Sequence, residues 1–295
     1  MKKLYSLIER GYKIEKIATG FGFTEGPVWN KEKEFLLFSD IPGNARIKWS
    51  EKNKIEEVMK PSNKCNGMTY DKDGNLIVCE HATSTVVKEY PDGRRQTIAS
   101  YYEGKELNSP NDVIVAKEGS IYFTDPTYGR MAGSGLERKK ELDYQGVYRI
   151  HPESGKLELL VNDFKQPNGL CLSPDEKVLY VDDSRLYHIR AFDVKSGGSI
   201  INGRIFFDNI CSGDTKGSSP DGMKCDEFGN IYVAGHGGIW VIGPQAEHIG
   251  LIELPEVVSN LNWGGKNWDI LYITASTSIY RLKMKIKGNK LNYMN

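Results

Sequence analysis

The chain of 295 residues carries the same short pattern six times. Each copy starts with a polar residue, continues through an apolar run and a turn, and ends in a second β-rich run. Successive copies start 39 to 57 residues apart, close to the roughly 40 to 50 residues of one four-stranded propeller blade. The repeat predicts an all-β chain folded as a six-bladed β-propeller of four-stranded blades. The copies begin at Glu25, Asn66, Asn111, Asn168, Asp221 and Asn260.

The two ends of the chain suggest how the ring closes. The sixth copy leaves room for only about three strands, whereas residues 12–18 are strand-like and have no blade of their own. Pairing this N-terminal strand as the fourth strand of the last blade would join the ring and cover two sheet edges. We expect residues 1–295 to form a single β-propeller domain closed in this way.

Charge and composition exclude several function classes. The 39 basic residues balance 39 acidic ones, which gives no electrostatic case for binding nucleic acid or an anionic membrane. No apolar run approaches the roughly 18 residues of a membrane span. Charges within residues 9–16 interrupt any signal-peptide core, so we expect a cytoplasmic protein. We also expect it to be a monomer or a homodimer. The five cysteines form no CxxC pair and are expected to be buried reduced thiols.

The first residue of each copy is the candidate for function. The first strand of a propeller blade lines the central channel, so equivalent residues of six blades form a ring. All six positions hold a carboxylate or carboxamide, and none holds Lys or Arg. Turn chemistry explains Asn or Asp before Gly, but it explains Glu25 poorly because Glu is not a turn former.

Such a ring has the chemistry of a cation site. Converging carboxylate and amide oxygens suit a hard divalent ion, and a loose cage of this kind favours Ca²⁺ over Mg²⁺, with Mn²⁺ and Zn²⁺ also possible. Glu25 and Asp221 together would match the charge of one such ion. Without it, the two carboxylates would repel and raise each other's pKa.

The motifs also resemble a known family. TEGPVW at residues 24–29, VCEH at 78–81, LNSPNDVIV with IYFTDPTYG at 107–129, PNGL at 167–170, PDGM at 220–223 and LYITASTSIYRL at 271–282 occur in the order expected. The chain thus resembles the senescence-marker-protein/gluconolactonase (regucalcin-like) family of six-bladed propellers, and its bacterial gluconolactonase branch most closely. The resemblance implies a divalent-metal-dependent hydrolase that acts on a small-molecule lactone.

The resemblance also implies site residues. It assigns metal binding to Glu25, Asn168 and Asp221; Asn111 is a fourth ligand in some members and a substrate contact in others, and we favour the metal. The animal branch has a sugar-holding arginine two positions before this asparagine, where the present chain has Ser109. The substrate preference of that branch is therefore not assumed here.

Lactone hydrolysis needs a polarised carbonyl, a water nucleophile and a proton acceptor. A cation supplies the first and assists the second, but Ca²⁺ acidifies water weakly, so a carboxylate base is still needed. Asp221 is the candidate for both ligand and catalytic base. Asp112 follows a ligand in sequence, but its side chain should point the other way along the strand, in a supporting or structural role.

Further residues are candidates for substrate contact. His81 and His236 end the second β-rich run of their copies, where a merely packed histidine is the alternative. Asn66 and Asn260 complete the ring and are expected to meet substrate or water. Residues 126–145 lengthen the third copy and are either a solvated insertion or a lid that carries Tyr128 over the channel.

Two alternatives to the lactonase remain open at the level of sequence. An organophosphate or other ester hydrolase would share the metal ring and differ in the lining of its pocket. A non-enzymatic propeller that serves as an interaction platform would share the repeat, but it would have no need for a converging ring of oxygen atoms. A calcium-handling role without catalysis is weaker, since one cage per chain gives little capacity.

Overall fold

A computed structural model describes residues 3–210 and 218–290 and shows six sheets, each of four antiparallel strands. The six-bladed prediction is confirmed. A helical turn, α1 (Leu4–Leu7), precedes the strands, and a 3-10 turn spans Tyr128–Arg130. None of the helices in the described residues is long and apolar enough to cross a membrane.

The strands follow the chain blade by blade after β1 (Glu15–Thr19), which belongs to the last sheet. Blade 1 contains β2 (Thr24–Asn30), β3 (Phe35–Asp40), β4 (Ala45–Ser50) and β5 (Lys54–Met59). Blade 2 contains β6 (Cys65–Tyr70), β7 (Leu76–Glu80), β8 (Thr85–Glu89) and β9 (Arg95–Ala99). A short hairpin of β10 (Tyr101–Tyr102) and β11 (Lys105–Glu106) then leads to the third blade.

Blade 3 contains β12 (Val113–Val115), β13 (Ile121–Asp125), β14 (Gln145–Ile150) and β15 (Leu157–Phe164). Blade 4 contains β16 (Pro167–Leu172), β17 (Val178–Asp183), β18 (His188–Val194) and β19 (Ile200–Phe207). Blade 5 contains β20 (Met223–Cys225), β21 (Ile231–Gly235), β22 (Gly238–Ile242) and β23 (His248–Glu253). Blade 6 contains β24 (Val258–Gly264), β25 (Ile270–Ala275) and β26 (Ser278–Lys283), followed by β1.

The ring closes as the sequence predicts. Strand β1 pairs antiparallel with β26, with Lys16 opposite Tyr280, and so becomes the fourth strand of blade 6. The carboxylate of Glu256 accepts hydrogen bonds from Ser278 Oγ and Tyr280 OH, each at 2.6 Å, and from Lys16 Nζ at 3.0 Å. One side chain therefore holds both strands of the closing pair.

The hydrophobic core lies between neighbouring blades rather than on the central axis. Its largest cluster joins blades 5, 6 and 1 and includes a stacked pair of rings, Trp29 of β2 and Tyr272 of β25, with centroids 4.9 Å apart. Smaller clusters fill the remaining interfaces between blades. The apolar side chains thus hold the blades side by side and leave the channel to polar residues.

The glycines that follow several ring residues permit close approach between blades. A Cβ on Gly26, whose φ is +52°, would lie 1.8 Å from the backbone oxygen of Asn66 in the next blade. A Cβ on Gly222 would lie 1.9 Å from Cγ of Asn260. Contact across blades, rather than turn chemistry, is the reason for glycine here.

Four of the five cysteines are buried and free, as expected: Cys65, Cys79, Cys171 and Cys225. Cys211 lies outside the described residues.

Candidate functional site

The six ring residues lie at the same end of the inner strands. Four of them occur within the first three residues of an inner strand, whereas Asn111 and Asp221 come two residues before β12 and β20. Five of the six are buried and Asp221 is partly exposed.

Side-chain amides form a directed hydrogen-bond chain around part of this ring. Asn66 Nδ2 donates to Asn111 Oδ1 at 2.7 Å, and Asn111 Nδ2 donates to Asn168 Oδ1 at 2.6 Å. Asn168 Nδ2 donates to Ser184 Oγ at 3.0 Å, and the Asn168 amide also hydrogen-bonds Asp221, which opposes the rise in the pKa of that carboxyl. Each amide therefore has a fixed orientation.

The carboxylate of Glu25 is held from one side only. Its Oε2 accepts the backbone N–H of Gly26 at 2.5 Å and Nδ2 of Asn260 at 3.0 Å. Among the residues described, none donates to Oε1. Asn66 Oδ1 is likewise buried without a hydrogen-bond partner in the described part of the chain.

Burial and neighbouring charges raise the affinity of both acidic side chains of the ring for protons. Burial raises the pKa of Glu25 above its usual range, against the hydrogen bond from Gly26, and Asp112 adds to the rise. Burial also raises the pKa of Asp221 well above normal, followed by the charges of Glu25 and Asp182. A cation bound between the two carboxylates would stabilise both ionised forms.

His81 presents one nitrogen to the ring. Its Nδ1 lies 2.9 Å from the backbone oxygen of Ser134, which can only accept, so Nδ1 carries the proton. Its Nε2 then accepts from Asn66 Nδ2 at 3.2 Å and lies 3.2 Å from Asn111 Oδ1. Burial lowers the pKa of His81, which keeps its imidazole neutral.

These groups surround one cavity of about 310 Å³, within the range of small-molecule sites. Its polar side contains seven predicted site residues, and its other walls add apolar and small side chains. The polar residues are Glu25, Asn66, His81, Asn111, Tyr128, Asn168 and Asp221. The remaining lining residues are Phe23, Ile41, Pro42, Ser134 and Ser219, and no described lining residue is Lys or Arg.

Three predicted site residues lie outside the lining of this cavity. Asn260 is buried and donates a hydrogen bond to Glu25, which lines the cavity. His236 is exposed in the turn after β21, and its backbone oxygen accepts from Trp240 Nε1. Asp112 is buried and bonds Lys224 Nζ at 3.3 Å, away from the cavity as its place in the sequence suggested.

Ser109, at the position of the animal branch's arginine, anchors the insertion. Its Oγ donates to the backbone oxygen of Pro126 at 2.6 Å and accepts the N–H of Gly129 at 2.9 Å. The guanidinium of Arg130 is buried, donates to the backbone oxygen of Asn108, and pairs with Glu106, each at 2.8 Å. The insertion is thus tied down, and it contributes Tyr128 and Ser134 to the cavity wall.

The sequence reading missed Lys224, the ion-pair partner of Asp112. The sequence did single out Lys224, because it is the fourth residue of its copy and the fourth residue of every other copy is uncharged. Those residues are Val28, Thr69, Ile114, Cys171 and Trp263.

The donor set fits a hard divalent cation. The described residues contain no cluster of three or more His, Cys, Asp or Glu side chains able to hold a metal, so a cation here would need amide oxygens as well. Glu25, Asn111, Asn168 and Asp221 offer two carboxylates and two amide oxygens, and Oε1 of Glu25 has no other partner among the described residues. Ca²⁺ takes six to eight oxygens, so water and substrate would fill the remaining places.

Comparisons with a family model, with known sequences and with solved structures all point to gluconolactonases and regucalcins. The family model described as the SMP-30/gluconolactonase/LRE-like region matches residues 23–277. A gluconolactonase from Zymomonas mobilis is 34% identical over 97% of this chain and 85% of its own length. The solved structure of a gluconolactonase from Xanthomonas campestris superposes with a TM-score of 0.88, at 28% identity over 96% of this chain and 93% of its own. Rabbit regucalcin is 28% identical over 85% of this chain and 82% of its own.

Proposed function

The chain belongs to the SMP-30/gluconolactonase/LRE-like family, and on that premise we propose that it hydrolyses a sugar lactone with the help of one divalent cation. The observation that carries the proposal is the joint presence of Glu25, Asn111, Asn168 and Asp221 on one side of a cavity sized for a small molecule. The gluconolactonases among its relatives support the choice of substrate class.

We propose that those four residues hold the cation, with Ca²⁺ favoured by the oxygen donors. When bound, it supplies a Lewis acid for the lactone carbonyl and makes a neighbouring water easier to deprotonate. The amide chain from Asn66 to Asn168 keeps the oxygen atoms of Asn111 and Asn168 oriented for this task. Ser184 supports the same arrangement by accepting from Asn168.

Asp221 is the proposed proton acceptor. Water adds to the acyl carbon of the lactone, and one of its protons passes to the Asp221 carboxylate. The bond between the acyl carbon and the ester oxygen of the lactone then breaks, and Asp221 delivers the proton to the departing oxygen. Asp221 is suited to this role because it lines the cavity and is partly exposed there, whereas Glu25 is fixed by two hydrogen bonds to one oxygen.

The substrate is proposed to lie between the ring and the insertion. His81 offers Nε2, Asn66 offers the unpartnered Oδ1, and Tyr128 offers a hydroxyl whose pKa burial raises, so that it stays protonated. Such groups can hydrogen-bond the hydroxyls of a sugar lactone. Phe23 and Ile41 form an apolar wall beside them.

The test is hydrolysis of D-glucono-δ-lactone by protein freed of metal with a chelator and then supplied with Ca²⁺, Mg²⁺, Mn²⁺ or Zn²⁺. We expect no turnover before addition and recovery with at least one ion. Turnover of a phosphotriester but not of any aldonolactone would replace the lactonase proposal with the alternative hydrolase.

A matched pair of variants tests the role of Asp221. Asp221→Asn should reduce kcat by about 100-fold or more while the protein remains folded. Asp226→Asn is the control in the same blade, since burial already raises the pKa of that carboxyl and it does not line the cavity. Wild-type turnover by Asp221→Asn would rule out the assigned role.

A further inference from the structure

Two further carboxylates, Asp112 and Asp182, lie buried close to the ring. Asp112 follows Asn111, and Asp182 is the fifth residue of β17. Asp182 is fully buried, and neither of its carboxylate oxygens accepts a hydrogen bond of normal geometry from a described residue. Its Oδ2 faces Gly169, where a Cβ would approach it to 2.7 Å. Burial raises the pKa of Asp182 well above its usual range, so its ionised form needs a positive charge nearby.

Asp182 is an exception within the repeat. Blades 1 and 3 have hydroxyl residues at the equivalent position, and each donates to the backbone of the next blade. Ser39 Oγ donates to the oxygen of Asn66, and Thr124 Oγ1 donates to that of Asn168, both at 2.8 Å. Neither carboxyl oxygen of Asp182 makes such a bond to a described residue, so Asp182 is not a substitute for the hydroxyls.

The positive charge comes from Lys224 of β20. Its side chain is only 15% exposed, and its ammonium donates to Asp112 Oδ2 at 3.3 Å and to the backbone oxygen of Met223 at 3.0 Å. Burial is the main cause that raises the pKa of Asp182, and the charge of Lys224 partly opposes that rise. This partly buried ammonium therefore pairs with the carboxylate that follows the proposed ligand Asn111.

We propose that Lys224 is a built-in counter-cation of the channel, which pairs with Asp112 and thereby limits how tightly the ring can hold a divalent ion. The inference rests on the proposed metal site. Without Lys224, the four carboxylates Glu25, Asp112, Asp182 and Asp221 would all attract the incoming ion. With it, Asp112 is already paired, and the ammonium repels the ion through a medium of low dielectric constant.

The experiment is calorimetric titration of Ca²⁺ into chelator-treated full-length protein, which reports binding without reference to catalysis. Lys224→Met should bind Ca²⁺ on the order of tenfold more tightly than wild type, since a repelling charge is removed. Lys224→Arg keeps the charge and should bind within about twofold of wild type.

Lys88→Met is the matched control. Lys88 pairs with Asp71 at 2.7 Å and is also partly buried, with 24% of its side chain exposed, but it lies on the outer part of blade 2 and does not line the cavity. Its loss should leave Ca²⁺ affinity unchanged. An equal gain in Lys88→Met and Lys224→Met would overturn the proposal.

Asp112→Asn provides a second route that does not depend on the folding of Lys224→Met. This substitution removes the negative charge that pairs with the Lys224 ammonium, so the ammonium repels Ca²⁺ more strongly. Ca²⁺ binding should weaken on the order of tenfold. Unchanged affinity in either Lys224→Met or Asp112→Asn would contradict the counter-cation role. Absence of any divalent-ion binding by wild type would instead refute the proposed metal site.

Discussion

Asn111 donates from Nδ2 to Oδ1 of Asn168 at 2.6 Å, across the boundary between blades 3 and 4. The same Asn111 accepts from Asn66 of blade 2. Three blades are therefore linked at the cavity by side chains that also orient one another's oxygen atoms. Changes at the middle residue should affect the whole arrangement.

Asn111→Leu should break this chain at its centre. Asn66 and Asn168 both lose a partner, and the ring loses one amide oxygen. We expect Ca²⁺ affinity and kcat/KM to fall by about 10- to 100-fold each, the scale typical for groups that orient metal ligands. Titration calorimetry and lactone hydrolysis measure the two effects, and wild-type values for both would show that Asn111 is dispensable.

Gly26→Ala should be among the most damaging single-methyl changes in the fold. The added Cβ would meet the Asn66 backbone oxygen at 1.8 Å, at a residue with φ of +52°. We expect the free energy of unfolding to fall by more than about 3 kcal/mol. Gly74→Ala is the control, because its φ is +77° and a Cβ there meets nothing within 4 Å. Its cost should be about 1 kcal/mol, and equal losses measured by urea unfolding would contradict the close-approach explanation.

Glu256→Gln should weaken ring closure and change its dependence on pH. Burial alone would raise the pKa of Glu256, but hydrogen bonds from Ser278, Tyr280 and Lys16 outweigh it and lower the pKa to about 2. Because the carboxyl pKa is lowered, the contribution of ionised Glu256 to the free energy of unfolding is complete above the unfolded-state pKa near 4.5. It is lost as pH falls toward 2.

The expected cost of Glu256→Gln at neutral pH is about 2 kcal/mol, reduced for partial exposure of the side chain. As pH falls to about 2, the variant and the wild type should converge. Urea unfolding at a series of pH values measures the difference. A difference that stays constant down to pH 2 would mean that the Glu256 charge does not support closure.

Arg130→Met should loosen the insertion without changing the cation site. The substitution keeps much of the side-chain volume but removes the bonds to Asn108 and Glu106. We expect faster proteolysis within residues 126–145 and a KM raised several-fold, with Ca²⁺ affinity unchanged, because Arg130 contacts none of the ring residues. Arg94→Met, at an exposed ion pair with Asp92, is the control and should match wild type in all three measurements.

The repeat was sufficient to predict the number of blades and the closing strand, since both follow from the spacing of strand-like runs. The closing strand begins at Glu15 rather than at residue 12, because pairing with β26 decides where it starts. The ring was also visible in the sequence, and seven of the ten predicted site residues line one cavity.

What the sequence did not reveal depends on contacts between distant residues. His236 and His81 end equivalent runs, yet His81 turns toward the ring, where the backbone oxygen of Ser134 in the insertion accepts a hydrogen bond from its Nδ1, whereas His236 is exposed. Lys224 and Asp112 are 112 residues apart and meet because both lie at the inner strands of their blades, 5 and 3, which converge on the channel. The repeat shows which positions are equivalent but not which side chains meet.

The most direct measurement of the central claim follows lactone hydrolysis and bound metal in the same sample. Chelator-treated protein is titrated with Ca²⁺, or with the ion that restores most activity, and turnover is plotted against ions bound per chain. We expect negligible turnover without the ion and a rise that is complete at one ion per chain. Full turnover by metal-free protein, or turnover unrelated to the bound ion, would contradict it.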